Sequence, residues 1–266
     1  MKTITIWSIL FLMLFSTSDL IAGDDWTQKS PSSKPTARDN HAMAYIGNGK
    51  VLLYGGWTGT WNGETWIYDL ATNTWEQKYP SSSPEARCSH AMAYLGGDQV
   101  LMFGGDVSWT RYTSSCWKYD LSDNNWVETE PPIRPGSRRQ HAMAYIGDGK
   151  VLMVGGDIAA GGGSSYTTWL YDTSDPNQWS QKTDFMNVKW HSMSYVGGDQ
   201  IMLTSGWVEG RVNWNFLFDL SANNWTQKTD LPVSSCRMDM VYIGNIKPAG
   251  INCVIHLAYA IFGCLK

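Results

Sequence analysis

Charge is the first thing this 266-residue chain has little of: Asp, Glu, Lys and Arg make up 17% of it, against roughly 25% in a soluble globular domain. Solvation therefore leans on Ser, Thr, Asn, Gln and Gly. A basic excess is lacking too. The net charge of -4 and pI near 5.7 leave no basic footprint for nucleic acid, so no nucleic-acid partner is expected. The five cysteines (Cys88, Cys116, Cys236, Cys253, Cys264) contain no Cys-X-X-Cys pair, which argues against zinc. Their odd number leaves at least one thiol free unless it pairs between chains, and this is not a disulfide-stapled fold. No window sustains apolar spacing of three and four over a helix length. The N-terminal apolar run, Ile4 to Phe15, is too short to span a bilayer comfortably.

That run has another reading. Lys2, a dozen mostly apolar residues and the polar Ser16-Thr17-Ser18 have the order of a secretory signal peptide. Cleavage is expected after Ser18, Ala22 or Gly23, which assigns residues 1–23 to the signal, leaves no membrane span afterwards, and makes the mature protein secreted or periplasmic.

What the chain has in plenty is tryptophan, 15 copies, and these mark a repeat. Four blocks align without gaps: His41-Ala-Met-Ala-Tyr-Ile-Gly-Asn-Gly-Lys-Val-Leu-Leu-Tyr-Gly-Gly56, then His90 to Gly105, His141 to Gly156 and His191 to Gly206. The starting histidines are 49, 51 and 50 residues apart. Each block is followed by an aromatic-X-aromatic-Asp element, ending at Asp69, Asp120, Asp172 and Asp219. Another tryptophan follows each: Trp75, Trp126, Trp179 and Trp225. A period near 50 denotes a repeat array. Within it the pattern predicts four short strands, His41 to Ile46, Val51 to Tyr54, Thr65 to Leu70 and Thr74 to Lys78. Asn48-Gly49 supplies a hairpin turn and Gly55-Gly56 ends the second strand.

These landmarks resemble the kelch repeat over about residues 41–245. The resemblance implies an all-β fold, a kelch-type β-propeller of four-stranded antiparallel blades with the first strand nearest the axis. Stacking buries both faces of each sheet, which a lone sheet cannot do. The propeller is placed at 24–245, with four complete blades and a partial fifth. Asp25-Trp26-Thr-Gln-Lys29 matches Asn224-Trp225-Thr-Gln-Lys228, a stray fourth strand that closes the ring, and Met238 to Asn245 matches the first strand of a fifth unit. Residues 246–266 lose every landmark and form an aberrant tail. Relatives usually carry six or seven blades, so the chain reads as a truncated or frame-shifted product of a longer gene.

The repeated histidines and aspartates recur with their whole strand, so they are assigned to packing and to turns rather than to a metal. No metal, cofactor or catalytic residue is assigned. A copper-radical site of the kind some kelch-like propellers carry needs two histidines, and only His256 lies outside the repeat. Antiparallel order puts the segment before strand one and the loop between strands two and three on one face. There the sequence places Arg38, Arg87 and Arg138, a position that in the kelch substrate adaptors it resembles supplies ligand contacts. Trp57, Trp61, Trp109, Arg111, Tyr112, Tyr166, Trp207, Arg211 and Trp214 occupy the loops. The expected function is an extracytoplasmic binding module for a carbohydrate or a protein or peptide ligand, with indoles stacking on sugars or receiving side chains. A carbohydrate-active enzyme of the sialic-acid mutarotase or epimerase type stays open beside it, with Glu64, Glu85 and Glu209 as the loop glutamates near that face.

Overall fold

The computed structural model describes residues 29–158, 163–237 and 240. The chain divides into Met1–Ser30, of which Lys29 and Ser30 are described, both exposed and outside any strand, and Pro31–Lys266, which holds every blade. No helix occurs among the described residues. The first blade is β1 (Ala42–Tyr45), β2 (Lys50–Tyr54), β3 (Thr65–Asp69) and β4 (Thr74–Lys78). The second comprises β5 (Ala91–Gly96), β6 (Gln99–Phe103), β9 (Cys116–Asp120) and β10 (Asn125–Thr129), with a loop hairpin, β7 (Asp106–Ser108) and β8 (Arg111–Tyr112), inserted after β6. In the third, β12 (Ala142–Gly147), β13 (Lys150–Val154), β15 (Thr168–Asp172) and β16 (Trp179–Lys182) form the sheet, while β11 (Arg138–Arg139) pairs with β14 (Asp157–Ile158) above it. The fourth is β17 (Ser192–Gly197), β18 (Gln200–Thr204), β19 (Asn215–Asp219) and β20 (Asn224–Gln227). Every blade is an antiparallel meander in sequence order, as the repeat predicts.

The turn chemistry sets this register. Asn48 and Gly49 have φ of 51° and 70°, and Asp148 and Gly149 have 50° and 70°, the mirror-image turn that matches strand twist. Asp69, Asp120 and Asp219 then accept backbone N–H groups two or three residues on: Ala71 (2.9 Å) and Thr72 for Asp69, Ser122 (2.9 Å) for Asp120, Ala222 (2.8 Å) for Asp219. Asp172 does the same with Ser174 (2.9 Å). The glycine pairs do a different job. A Cβ on Gly55 would sit 2.5 Å from the Arg87 carbonyl oxygen and 2.9 Å from His90 Cε1 of the next blade. Only glycine lets two blades approach that closely.

First strands of successive blades lie side by side, β1 by β5, β5 by β12 and β12 by β17. Strand alternation sends one set of side chains to each neighbour. Leu52 and Tyr54 of the first blade meet Met102, Tyr119 and Trp126 of the second; Leu101 and Phe103 meet Tyr171 and Trp179 of the third; Leu152 and Val154 meet Leu203 and Phe218 of the fourth. Burying each such side chain stabilises the array by about 1.5–3 kcal/mol. The repeat histidines complete these seams. His90, His141 and His191 are buried, and burial drives each imidazole well below its usual range, to about 3 for His191.

The N-terminal closing strand, the fifth-unit strand apart from Met240, and the tail all lie outside the described residues, as do the boundaries at 23 and 245. The approach to a fifth unit is described. Ser235 N–H and C=O bond Val212 and Gly206, the same Gly-to-carbonyl bond that Arg87, Arg138 and Val188 accept at the three earlier seams.

Candidate functional site

The loop face is assembled from a belt of backbone. Asn40, Ser89, Gln140 and Trp190 each stand two residues before the first strand of a blade, and they and Arg237 have φ between 50° and 60°. Each N–H donates to the carbonyl of its predecessor in the previous unit: Ser89 to Asn40 (2.7 Å), Gln140 to Ser89 (2.9 Å), Trp190 to Gln140 (3.1 Å) and Arg237 to Trp190 (2.8 Å). Left-handed backbone at a Trp, Gln or Arg is strained, and such strain concentrates where a surface is held in a defined shape.

The three repeat arginines sit beneath this face, not on it. Arg87 and Arg138 are 1% and 3% exposed. Arg87 donates to the carbonyls of Glu85 (2.9 Å) and Gly104 (2.9 Å) and to Ser115 Oγ (2.8 Å); Arg138 repeats this with Gly136, Gly155 and Thr167 Oγ1. Arg38 bonds the Gly55 carbonyl, Asn62 Oδ1 and the Glu64 carboxylate (2.6 Å). Their guanidinium groups are engaged by loop carbonyls and side-chain oxygens of their own blades, so the expectation that they contact ligand is corrected. The planar fork suits this clamp because it reaches several oxygens at once.

If the arginine points inward, its neighbour points outward, and there the chemistry lies. Arg139 bridges Asp106 (3.2 Å) and Asp157 (3.2 Å), and Lys189 reaches the other oxygen of Asp157 at 3.4 Å. The Tyr112 ring lies under the Arg139 guanidinium, 4.4 Å from its centroid. The result is a chain of alternating sign, Asp106–Arg139–Asp157–Lys189, that crosses the second, third and fourth blades. Burial raises the Asp106 carboxyl above its ordinary value. Cys88, 3.8 Å from it, is pushed up to about 11 by burial and stays a thiol. These charged residues were not among the predicted site residues. The signal for them was the one-residue offset from Arg87 and Arg138 and from the Gly-Gly pairs.

Aromatic clusters flank the chain. Trp57, Trp61 and Trp109 meet edge to face in a triangle with every centroid pair at 5.0 Å, and Trp109 is 78% exposed. On the fourth blade Trp207 meets Trp190 at 5.8 Å, and Trp190 carries Arg237 at 4.4 Å and Lys189 at 5.2 Å over its ring. Arg111 is exposed and paired with Glu85 (2.5 Å), and Arg211 is exposed. Tyr166 is brought to a different place, a cavity of about 400 Å³ that Arg138, Ile158 and Trp169 also line. Trp214 turns inward onto Phe185 (6.5 Å) and Phe216 (6.1 Å) and joins the core between the third and fourth blades, so its assignment to the ligand face is also corrected. Of the loop glutamates, Glu64 and Glu85 are held in ion pairs and Glu209 is exposed.

Radially arrayed four-stranded meanders, sewn together at a belt and carrying variable loops on one face, define a β-propeller with a loop-borne recognition surface. The chain belongs to the kelch-repeat family: residues 12–156 and, overlapping them, 78–245 both match the KLHDC2/KLHL20/DRC7 Kelch-repeats domain. Comparison with curated proteins finds no match.

Proposed function

We propose that the chain is a binding module that holds a protein or peptide segment across its loop face, outside the cytoplasm. The observation that carries this reading is the fixed charge chain Asp106–Arg139–Asp157–Lys189 with indole clusters at both ends. Side chains of alternating sign in a set order favour a partner carrying the complementary order and disfavour others. The aromatic ends supply the anchors, since buried Trp and Tyr contacts carry most of the binding energy at protein interfaces. Indoles packed edge to face leave crevices for side chains, which suits a peptide better than the flat platform a sugar ring prefers. Membership of the kelch-repeat family supports a protein ligand, and the order of residues 1–23 supports export.

Peptide and glycan arrays probed with the full-length chain test it. Retention on peptides, weakened at least about tenfold by Arg139→Gln, supports the reading. Retention on glycans alone overturns it in favour of a carbohydrate module, and turnover of a retained glycan makes the protein an enzyme. N-terminal sequencing of the exported protein that recovers Met1 overturns signal cleavage.

A further inference from the structure

The loop face is one end of the propeller axis, and the other end is built differently. The four first strands run from the loop face towards the hairpin turns, and near that end they line an open hollow of about 340 Å³. Tyr45, Tyr94, Tyr145 and Tyr195, one from each blade, wall it. Three of the rings meet edge to face in succession, Tyr45 with Tyr94 at 6.3 Å and Tyr94 with Tyr145 at 5.3 Å. Their hydroxyls reach towards the turns: Tyr45 Oη accepts the Gly49 N–H at 3.4 Å, and Tyr145 Oη lies beside Gly96 of the neighbouring blade. The ring bodies, not the hydroxyls, therefore make the wall. The rest of the lining is Met, Ala and Ser, with no charged side chain.

Three of the four turns at the rim carry an acidic residue, and a lysine, Lys50 or Lys150, follows the turn in the first and third blades. The turns carry Asp98, Asp148 and Asp199, and no ion pair among the described residues engages them. Asp98 reaches across a seam, its Oδ1 lying 3.3 Å from where a Cβ on Gly47 would stand. The lysine nearest these turns in the first blade, Lys50, is paired with Asp69 on β3, so its charge is directed away from the axis.

We propose that this axial hollow is a second binding site, separate from the loop face, for an organic cation of the alkylated-ammonium class. Tyrosine rings attract a cation through their quadrupole, even where the contact is open to water. The uncharged wall sets no hydrogen-bond requirement that a methylated ammonium cannot meet, and the turn carboxylates raise the local concentration of cations. A hollow near the lower limit of ligand sites matches a headgroup rather than a large ligand. The headgroup has two sources, a free choline-like molecule or a methylated lysine on a protein, and the site chemistry is the same for both.

Titration of the full-length chain with tetramethylammonium, choline and a trimethyl-lysine peptide, followed by NMR, tests the proposal. Saturable binding is expected, with cross-relaxation from the methyl protons to tyrosine ring protons. The neutral isostere 3,3-dimethylbutanol is expected to bind at least about tenfold more weakly. Tyr94→Phe retains affinity within about twofold, whereas Tyr94→Leu loses at least about tenfold. Stronger binding of choline identifies a small-molecule source, and stronger binding of the peptide a protein source; either supports the site. Equal binding of the neutral isostere, cross-relaxation to indole protons instead of tyrosines, or absence of saturation overturns it. The wild-type measurements decide even if Tyr94→Leu does not fold. Neither outcome bears on the peptide reading of the loop face, which is assayed separately.

Discussion

The indole Nε1 of Trp126 donates to Thr65 Oγ1 at 3.1 Å across the seam between the second and first blades, with both groups buried. Its ring also meets Tyr54 of the first blade and Tyr119 of its own at 5.0 and 5.1 Å. Trp179 does the same between the third and second blades, against Phe103 and Tyr171. These are the keystones of the array, and Trp75 and Trp225, half-buried, are weaker copies. Trp126→Ala and Trp179→Ala are each expected to cost about 3–5 kcal/mol, with Trp75→Ala costing clearly less. Denaturant unfolding of the three variants measures it, and equal losses would contradict the seam assignment.

Arg87 is a clamp, so its replacement should act on the fold rather than on recognition. In Arg87→Lys an ammonium cannot hold the two carbonyls and the Ser115 hydroxyl together, and the expected loss is about 2–4 kcal/mol. Ligand affinity per folded molecule should be unchanged. A selective loss of binding with unaltered stability would return Arg87 to the ligand face.

Trp109 gives the opposite pattern. With 78% of its surface exposed, Trp109→Ala should leave unfolding within about 0.5 kcal/mol of the parent. Loss of an anchor of about 2 kcal/mol would weaken array retention roughly thirtyfold. Paired melting and binding curves check both halves.

The buried histidines make the fold acid-sensitive. His90, His141 and His191 have folded values depressed by burial, so the unfolded chain takes up protons first, near its ordinary value of 6.5. Stability is therefore complete above about pH 7 and falls as pH drops below about 6.5, continuing towards about 3 for His191. Each contributes up to about 1.4 kcal/mol per pH unit. The carboxylates held low, such as Asp69 and Glu64, act only below their ordinary values of 3.8 and 4.5. Urea midpoints at pH 7.5 and 5.5 thus isolate the histidines, and His191→Gln should shrink the difference between them.

Arg139→Gln leaves Asp106 and Asp157, both with side chains 9% exposed, without the cation they share. The expected cost is about 1–3 kcal/mol at pH 7, below the figure for a fully buried pair because Arg139 is partly exposed. Asp106, already raised by burial, loses its cation in the variant and titrates higher in the fold than in the unfolded chain, so the penalty should shrink as pH falls towards 5. A penalty that stays constant over that range would mean that packing, not charge, is lost.

The period of 50, the turn residues and the strand alternation are local properties, and they sufficed to place the four strands of the first blade within a residue or two of β1 to β4 and, through the repeat, a four-stranded blade in each of the next three units. Stacking faces followed because a side chain's parity along a strand decides which neighbour it meets. The direction of Arg87 was not legible. Parity says that Arg87 and its neighbour Cys88 point to opposite sides, but not which side is covered, and that depends on loops folding over from residues 104 and 115. The Trp57–Trp61–Trp109 triangle likewise joins segments about 50 residues apart, whose meeting depends on how far one blade is rotated against the next.

The sequence by itself determined the repeat, the blade and the face on which variable loops emerge, because hydrogen-bonded hairpins and period-two alternation need no information beyond neighbouring residues. Only the tertiary structure decided which of those loop residues are scaffold and which are surface. It buried the side chains of Arg38, Arg87 and Arg138, packed Trp214 against the core, and brought Asp106, Arg139, Asp157 and Lys189 into one chain and four tyrosines to one hollow. The physical reason is that exposure and charge pairing are set by what packs on top of a side chain, and in a radial array those atoms come from another blade.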